Sequence, residues 1–167
     1  YTPFHDAETN DRVFFSHSLG IFYQALTQHL GFPHYGDEFK VMGLAPYGKP
    51  VYMDEMREIV HLQADGSYRL NLDYFRHHKE KIANEWEGGA PEFGSIFSDK
   101  LADLLGPVRQ KDEELTQKHM DIAHSIQAMY EEAFFHLLNK LYEKHGLEAV
   151  TLAGGCAMNS VANGKVT

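Results

Sequence analysis

From residue 19 the chain repeats apolar positions every three or four residues, so that Leu19, Phe22, Tyr23, Leu26 and Leu30 share one face of a helix. Ser16 and Ser18 precede the run as capping candidates, and Gly31 and Pro33 follow it as stops. Gly36 and Asp37 open a second helical segment through Leu44, which Pro46 ends because its ring removes a donor and clashes with the preceding turn. A third helix is predicted over 53–61. Around Asp65-Gly66 the period changes to two, with Tyr68, Leu70 and Leu72 on one face, which predicts a small β hairpin near 62–72. Residues 76–94 mix charges with Gly88, Gly89, Pro91 and Gly94 and read as a surface connection. A helix from about Ser95 to Leu105 follows, stopped by Gly106-Pro107.

The strongest periodicity runs over 116–145, where Ile122, Ile126, Met129, Tyr130, Ala133, Phe134, Leu137, Leu138 and Leu141 form a broad apolar stripe ended by Gly146. This predicts a long, largely buried helix. Residues 149–153 then read as a buried strand, Gly154-Gly155 as a tight turn and Asn159 onward as the start of another helix. Helix, buried strand, glycine turn and helix in that order predict an α/β layer in a mostly helical chain.

With 167 residues, 43% of them hydrophobic, there is enough apolar material for one domain with a core. The formal charge of −9 supplies no positive field for nucleic acid or an anionic membrane, and neither partner is expected. Cys156, the single cysteine, cannot form an intrachain disulfide, and no apolar run approaches the ~18 residues of a membrane span. A soluble cytoplasmic protein is expected. The chain opens on Tyr1 with no charged-then-apolar leader and stops at Thr167 without a helix-ending signal, so it reads as an internal piece of a longer protein.

Eleven histidines in an acidic chain raise the question of a metal, yet no two lie three or four residues apart. Asp121 and His124 share a helical face, as would Asp73 and His77 in a helix, and both pairs read as surface pairing rather than ligation. No metal site is expected in this chain. The stretch LAGGCAMNS is more informative: a glycine pair after a strand lets a ligand approach the backbone, and the N–H groups that follow favour an anion. Close packing is the alternative use of the same glycines. Asn159 could present its amide to a base or sugar, or cap the next helix, and Cys156 reads as a small buried residue rather than a nucleophile. In GDEFKVMGLAPYGKP, residues 36–50, Lys40 is a candidate phosphate contact or a surface partner of Asp37. His17 could accept a proton, contact a phosphate, or be an ordinary boundary histidine.

Three stretches together resemble one family. They are His17 to Tyr23 with Thr27 and Leu30-Gly31-Phe32, then Asp37 to Gly48, then Leu152 to Asn159 with Ala162-Asn163-Gly164. Their order and wide spacing resemble the O-carbamoyltransferases of the NodU and cephalosporin carbamoyltransferase type, with KVMGLAPYG the most distinctive part. The resemblance implies an actin-like, sugar-kinase-like (RNase H-like) ATPase fold, of which residues 1–167 would be an internal fragment of the N-terminal carbamoyltransferase domain. A YrdC-like C-terminal domain, absent from this chain, would make carbamoyl adenylate from carbamoyl phosphate and ATP. The domain sampled here would pass the carbamoyl group to a hydroxyl of a small-molecule or glycan acceptor, and alone it would be inactive.

By the same likeness Gly154, Gly155 and Asn159 match the family's adenosine-side glycine motif, and His17, Ser18, Gly20, Glu38 and Lys40 fall in the two motifs expected near the ligand. His17 is the candidate base. The family's iron-type divalent metal would be held by an upstream histidine motif and a downstream aspartate, neither of which lies in these residues. Cys156 stands where the family usually has Val. The alternatives are a sugar or acyl kinase of the same superfamily, or a helical interaction module docking a partner through the 116–145 stripe. Removing sheet partners from such a fold implies exposed apolar surface, and a homo-oligomer is one way to cover it.

Overall fold

A computed structural model describes residues 4–5, 12–13, 17–80, 82–85 and 92–166. The candidate cap Ser16 and the loop residues Gly88, Gly89 and Pro91 lie outside them. The chain divides into two units, Tyr1–Glu38 with Leu70–Glu113, and Phe39–Arg69 with Glu114–Thr167.

The first unit holds the short antiparallel pair β1 (Phe4–His5) and β2 (Arg12–Val13), and helix α1 (Leu19–His29). Ser18 caps α1, its hydroxyl accepting the N–H of Gly20 at 3.1 Å, and the predicted face Leu19, Phe22, Tyr23, Leu26 and Leu30 is buried. Past a second antiparallel pair, β5 (Asn84–Glu85) and β6 (Glu92–Phe93), comes α4 (Asp99–Leu105). It begins four residues after the expected Ser95 because 93–96 is held extended by Gln28. That buried amide donates to the carbonyls of Phe93 and Gly94 and accepts the N–H of Ile96 at 2.9 Å. After α4, buried Arg109 crosses the end of α1. Its guanidinium donates to the carbonyls of Leu30, Lys111 and Glu113 and lies over the Phe32 ring.

The second unit is built on one long helix. It contains most of α2 (Glu38–Leu44), a 3-10 turn over Ala45–Tyr47, α3 (Met53–Ile59), and the predicted hairpin as β3 (Val60–Leu62) paired with β4 (Tyr68–Leu70), whose last residue is counted with the first unit. Leu72, expected to continue the hairpin face, instead starts a 3-10 turn capped by Asn71. Helix α5 (Gln117–His145) matches the predicted segment and ends at Gly146, whose φ of +63° is the left-handed conformation that glycine takes without strain. A 3-10 turn over Gly155–Met158 leads into α6 (Ser160–Asn163).

Two expectations are corrected here. Burial along α5 stops at Phe134, and Leu137, Leu141 and the neighbouring Tyr142 are exposed, so the end of the stripe lies outside the core. Residues 149–153 are irregular and exposed rather than a buried strand. The described sheets are three two-stranded pairs, none of which includes this stretch, and a β-branched apolar run becomes a strand only beside a partner that takes its N–H and C=O groups. The chain is thus a mixture of helices with small sheets. Among the described residues no helix is long and apolar enough to cross a membrane.

Four side chains of α5 bind the backbone that follows α2. Gln117 donates to the carbonyl of Tyr47 at 3.1 Å, Asp121 accepts the N–H of Lys49 at 2.8 Å, His124 bonds the carbonyl of Ala45 at 2.9 Å, and Ser125 accepts the N–H of Tyr52 at 3.1 Å. Gly48 permits this docking, because a Cβ there would come within 2.0 Å of the Met120 carbonyl oxygen.

Two outcomes follow from these attachments. Arg109→Met strips three carbonyls of their donor and should cost about 2–4 kcal/mol, read as a lower midpoint in urea unfolding. The Gln117 amide, and after it the Lys49 N–H, hold the Asp121 carboxyl below the ordinary carboxylate range. A depressed folded value means the stabilisation is complete above about pH 4 and is lost as the pH falls through that value. The Tm difference between wild type and Asp121→Asn should therefore be largest near neutrality and shrink below pH 4; a difference that grows on acidification contradicts the assignment.

Candidate functional site

At the entrance to α1, His17 is held by its backbone neighbour across the first unit: its Nδ1 accepts the N–H of Leu70 at 3.2 Å. The neutral ring then carries its hydrogen on Nε2 and presents a donor there, which suits a phosphate oxygen. Acting as a base from this position requires His17 to release Leu70. Ser18 and Gly20 are already joined to each other by the cap, so the helix end is preorganised. Glu38 starts α2 half-buried. Burial pushes its carboxyl above the ordinary range, its own N–H and that of Gly36 oppose this, and the charge of Asp37 adds to the rise. In the second unit the ammonium of Lys40 lies 5.9 Å from the centre of the Phe39 ring.

The glycine pair separates into two different requirements. Gly154 has φ +94° and ψ 177°, a region open essentially to glycine alone. Gly155 is outside the left-handed region, and a Cβ at either residue would meet nothing within 4 Å. Close packing therefore does not account for this pair among the described residues. Neither packing nor backbone conformation requires glycine at 155.

Two side chains of α5 hold the turn. Tyr130 donates its hydroxyl to the Cys156 carbonyl at 2.8 Å, and burial, with lesser help from Cys156, pushes that hydroxyl far above the usual phenol range, so it stays a donor. Gln127 and Asn159 exchange amide hydrogen bonds at 3.1 and 3.0 Å, and the Asn159 oxygen also accepts the N–H of Ala162 at 3.0 Å. Asn159 is 6% exposed. Of its two sequence readings the structure shows the cap, with most of the amide used inside the chain.

Next to this turn lies a cavity of about 210 Å³ between the end of α2, α5 and α6, lined by Met42, Ala45, Pro46 and Val161 and by the polar His124 and Glu131. The KVMGLAPYG and GGCAMNS motifs thus rest on the same helix, while His17, Ser18, Gly20 and Glu38 belong to the first unit. Among the described residues no three His, Cys, Asp or Glu are placed to hold a metal ion. Gln127, Tyr130 and His124 were not singled out as site residues from the sequence. The available signal was polarity inside an apolar stripe: Gln127 lies between Ile126 and Met129, where a buried amide must find partners.

The family described as Carbamoyltransferase N-terminus matches residues 3–167. The uncharacterized protein sll1178 of Synechocystis sp. is 43% identical over 156 residues, which is 92% of this chain and 23% of that protein. Nodulation protein NolNO of Sinorhizobium fredii is 35% identical over 152 residues (90% of this chain, 19% of that protein), and nodulation protein NolO of Bradyrhizobium diazoefficiens is 33% identical over 150 residues (89% and 23%). The chain therefore spans about a fifth of the length of the curated relatives it matches. With a match over nearly all its residues and the three motifs in order, the chain belongs to the carbamoyltransferase N-terminus family, the NodU type that its sequence resembles.

Proposed function

We propose that this chain is the carbamoyl-transferring part of a longer O-carbamoyltransferase of the actin-like fold, one that acts in the cytoplasm. Its donor is carbamoyl adenylate, made from carbamoyl phosphate and ATP by a YrdC-like domain of the same protein, and its acceptor is a hydroxyl of a small molecule or glycan. The single observation that carries this reading is Gly155. A family motif places glycine at a position where neither backbone conformation nor packing within the chain asks for it, and the space beside it is open. Room for an adenylate explains such a glycine, since a bare backbone lets the ligand come close.

The other residues take roles that suit the same chemistry. Acyl transfer to an alcohol needs a positioned mixed anhydride, stabilisation of charge on the carbonyl oxygen, and a proton acceptor. His17 offers its Nε2 hydrogen to the phosphate, with Ser18 and Gly20 fixing the helix end beside it. Lys40 supplies positive charge in an acidic chain, and Glu38, whose carboxyl burial pushes above the ordinary range, is a polar partner for a ligand hydroxyl. Gly154 and Gly155 line the adenylate, and Asn159 shapes the turn from behind. An iron-type metal would polarise the carbonyl or hold the phosphate, and its ligands belong to the rest of the longer protein.

The test compares two substitutions at Gly155 in the full-length protein. Gly155→Ala should leave stability unchanged or raise it by about 0.4–1 kcal/mol, since nothing opposes the methyl and the unfolded chain loses freedom. Gly155→Val should melt like wild type yet slow carbamoyl transfer from supplied carbamoyl adenylate by about 100-fold or more. An unchanged rate in a folded Gly155→Val protein overturns the reading. Asn159→Ala should behave differently, losing about 1–3 kcal/mol of stability with its cap and amide pair, as thermal melts would report.

A further inference from the structure

His124 differs from His17 in what its Nδ1 meets, an acceptor rather than a donor. Its Nδ1 lies 2.9 Å from the Ala45 carbonyl oxygen, which can only accept, so Nδ1 carries the hydrogen and Nε2 of the neutral ring carries the lone pair. The backbone bond also orients the ring, an arrangement in which one nitrogen is anchored and the other is available as a base. The ring lines the cavity of about 210 Å³, whose apolar wall comes from Met42, Ala45 and Pro46.

Asp121, one turn earlier on α5, is kept ionised by Gln117 and the Lys49 N–H, and lies close enough to interact electrostatically with His124. Further along the same helix Glu131, its side chain only 14% exposed, forms an ion pair at 2.6 Å with Lys165 beyond α6, which gives the cavity a polar end. An apolar wall facing polar groups matches a polyol or sugar, which has C–H faces and hydroxyl edges. The volume is below the roughly 300–1,000 Å³ typical of sites for drug-sized ligands, so it fits a small alcohol or part of a sugar ring rather than a nucleotide.

We propose that this cavity takes the hydroxyl-bearing acceptor and that Nε2 of His124 accepts the proton of the reacting hydroxyl. This rests on the reading that the protein transfers a carbamoyl group from carbamoyl adenylate. The hydroxyl oxygen forms the bond to the carbamoyl carbon and the bond from that carbon to the phosphate oxygen breaks. AMP leaves with the electron pair, and the proton passes to Nε2 and then to solvent.

Glycerol, which is small enough for the cavity, serves as the acceptor probe in the full-length protein supplied with carbamoyl phosphate and ATP. Wild type should form glyceryl carbamate. His124→Asn keeps an amide donor near the position of Nδ1 for the Ala45 carbonyl but has no Nε2, and should lower that product at least about 100-fold. Val161→Trp, at a partly exposed position on the cavity wall, should block the product by filling the space while the protein still melts cooperatively. Wild-type rates in either folded variant overturn the inference. AMP release by wild type without any glyceryl carbamate overturns it too and leaves the carbamoyltransferase reading standing, whereas a wild type that releases no AMP overturns both.

Discussion

The hydrogen bonds from α5 to backbone atoms outside it set where both motifs of the second unit lie. Gln117, Asp121, His124 and Ser125 bind main-chain groups of residues 45–52, and Tyr130 binds the main chain at Cys156. Bonds to backbone groups place a segment without dictating its side chains, so Pro46, Tyr47 and the residues around Cys156 stay free for other duties. Each bond made inside the fold is worth only about 0.5–1.5 kcal/mol net, but a stranded buried group costs more, so the set acts as a specification of one docking. Ile122, Ala123, Ile126, Met129 and Ala133, buried on α5, keep that helix in register.

Two histidines with the same side chain are prepared for opposite tasks by their backbone neighbours. A donor, the Leu70 N–H, meets Nδ1 of His17 and leaves a hydrogen on its Nε2; an acceptor, the Ala45 carbonyl, meets Nδ1 of His124 and leaves a lone pair on its Nε2. This division leaves a donor on one ring and an acceptor on the other without any change of residue type. The glycine pair shows a similar division, with Gly154 set by its dihedral angles and Gly155 by open space.

The sequence by itself determined the helices, the hairpin near Asp65-Gly66, the caps at Ser18 and Gly146, and the family, because these depend on local periodicity, local steric rules and residue order. Residues 149–153 mark the edge of that reach: a strand is completed by a neighbour, and no local pattern shows whether one lies alongside. Only the tertiary structure decided that Asn159 pairs with Gln127 across 32 residues, that His124 faces Ala45 across 79, and that Gly48 must be bare beside Met120. Those facts depend on which groups meet after the chain has folded back on itself, and a polar residue in a helical stripe announces that it needs a partner without saying which one it will find.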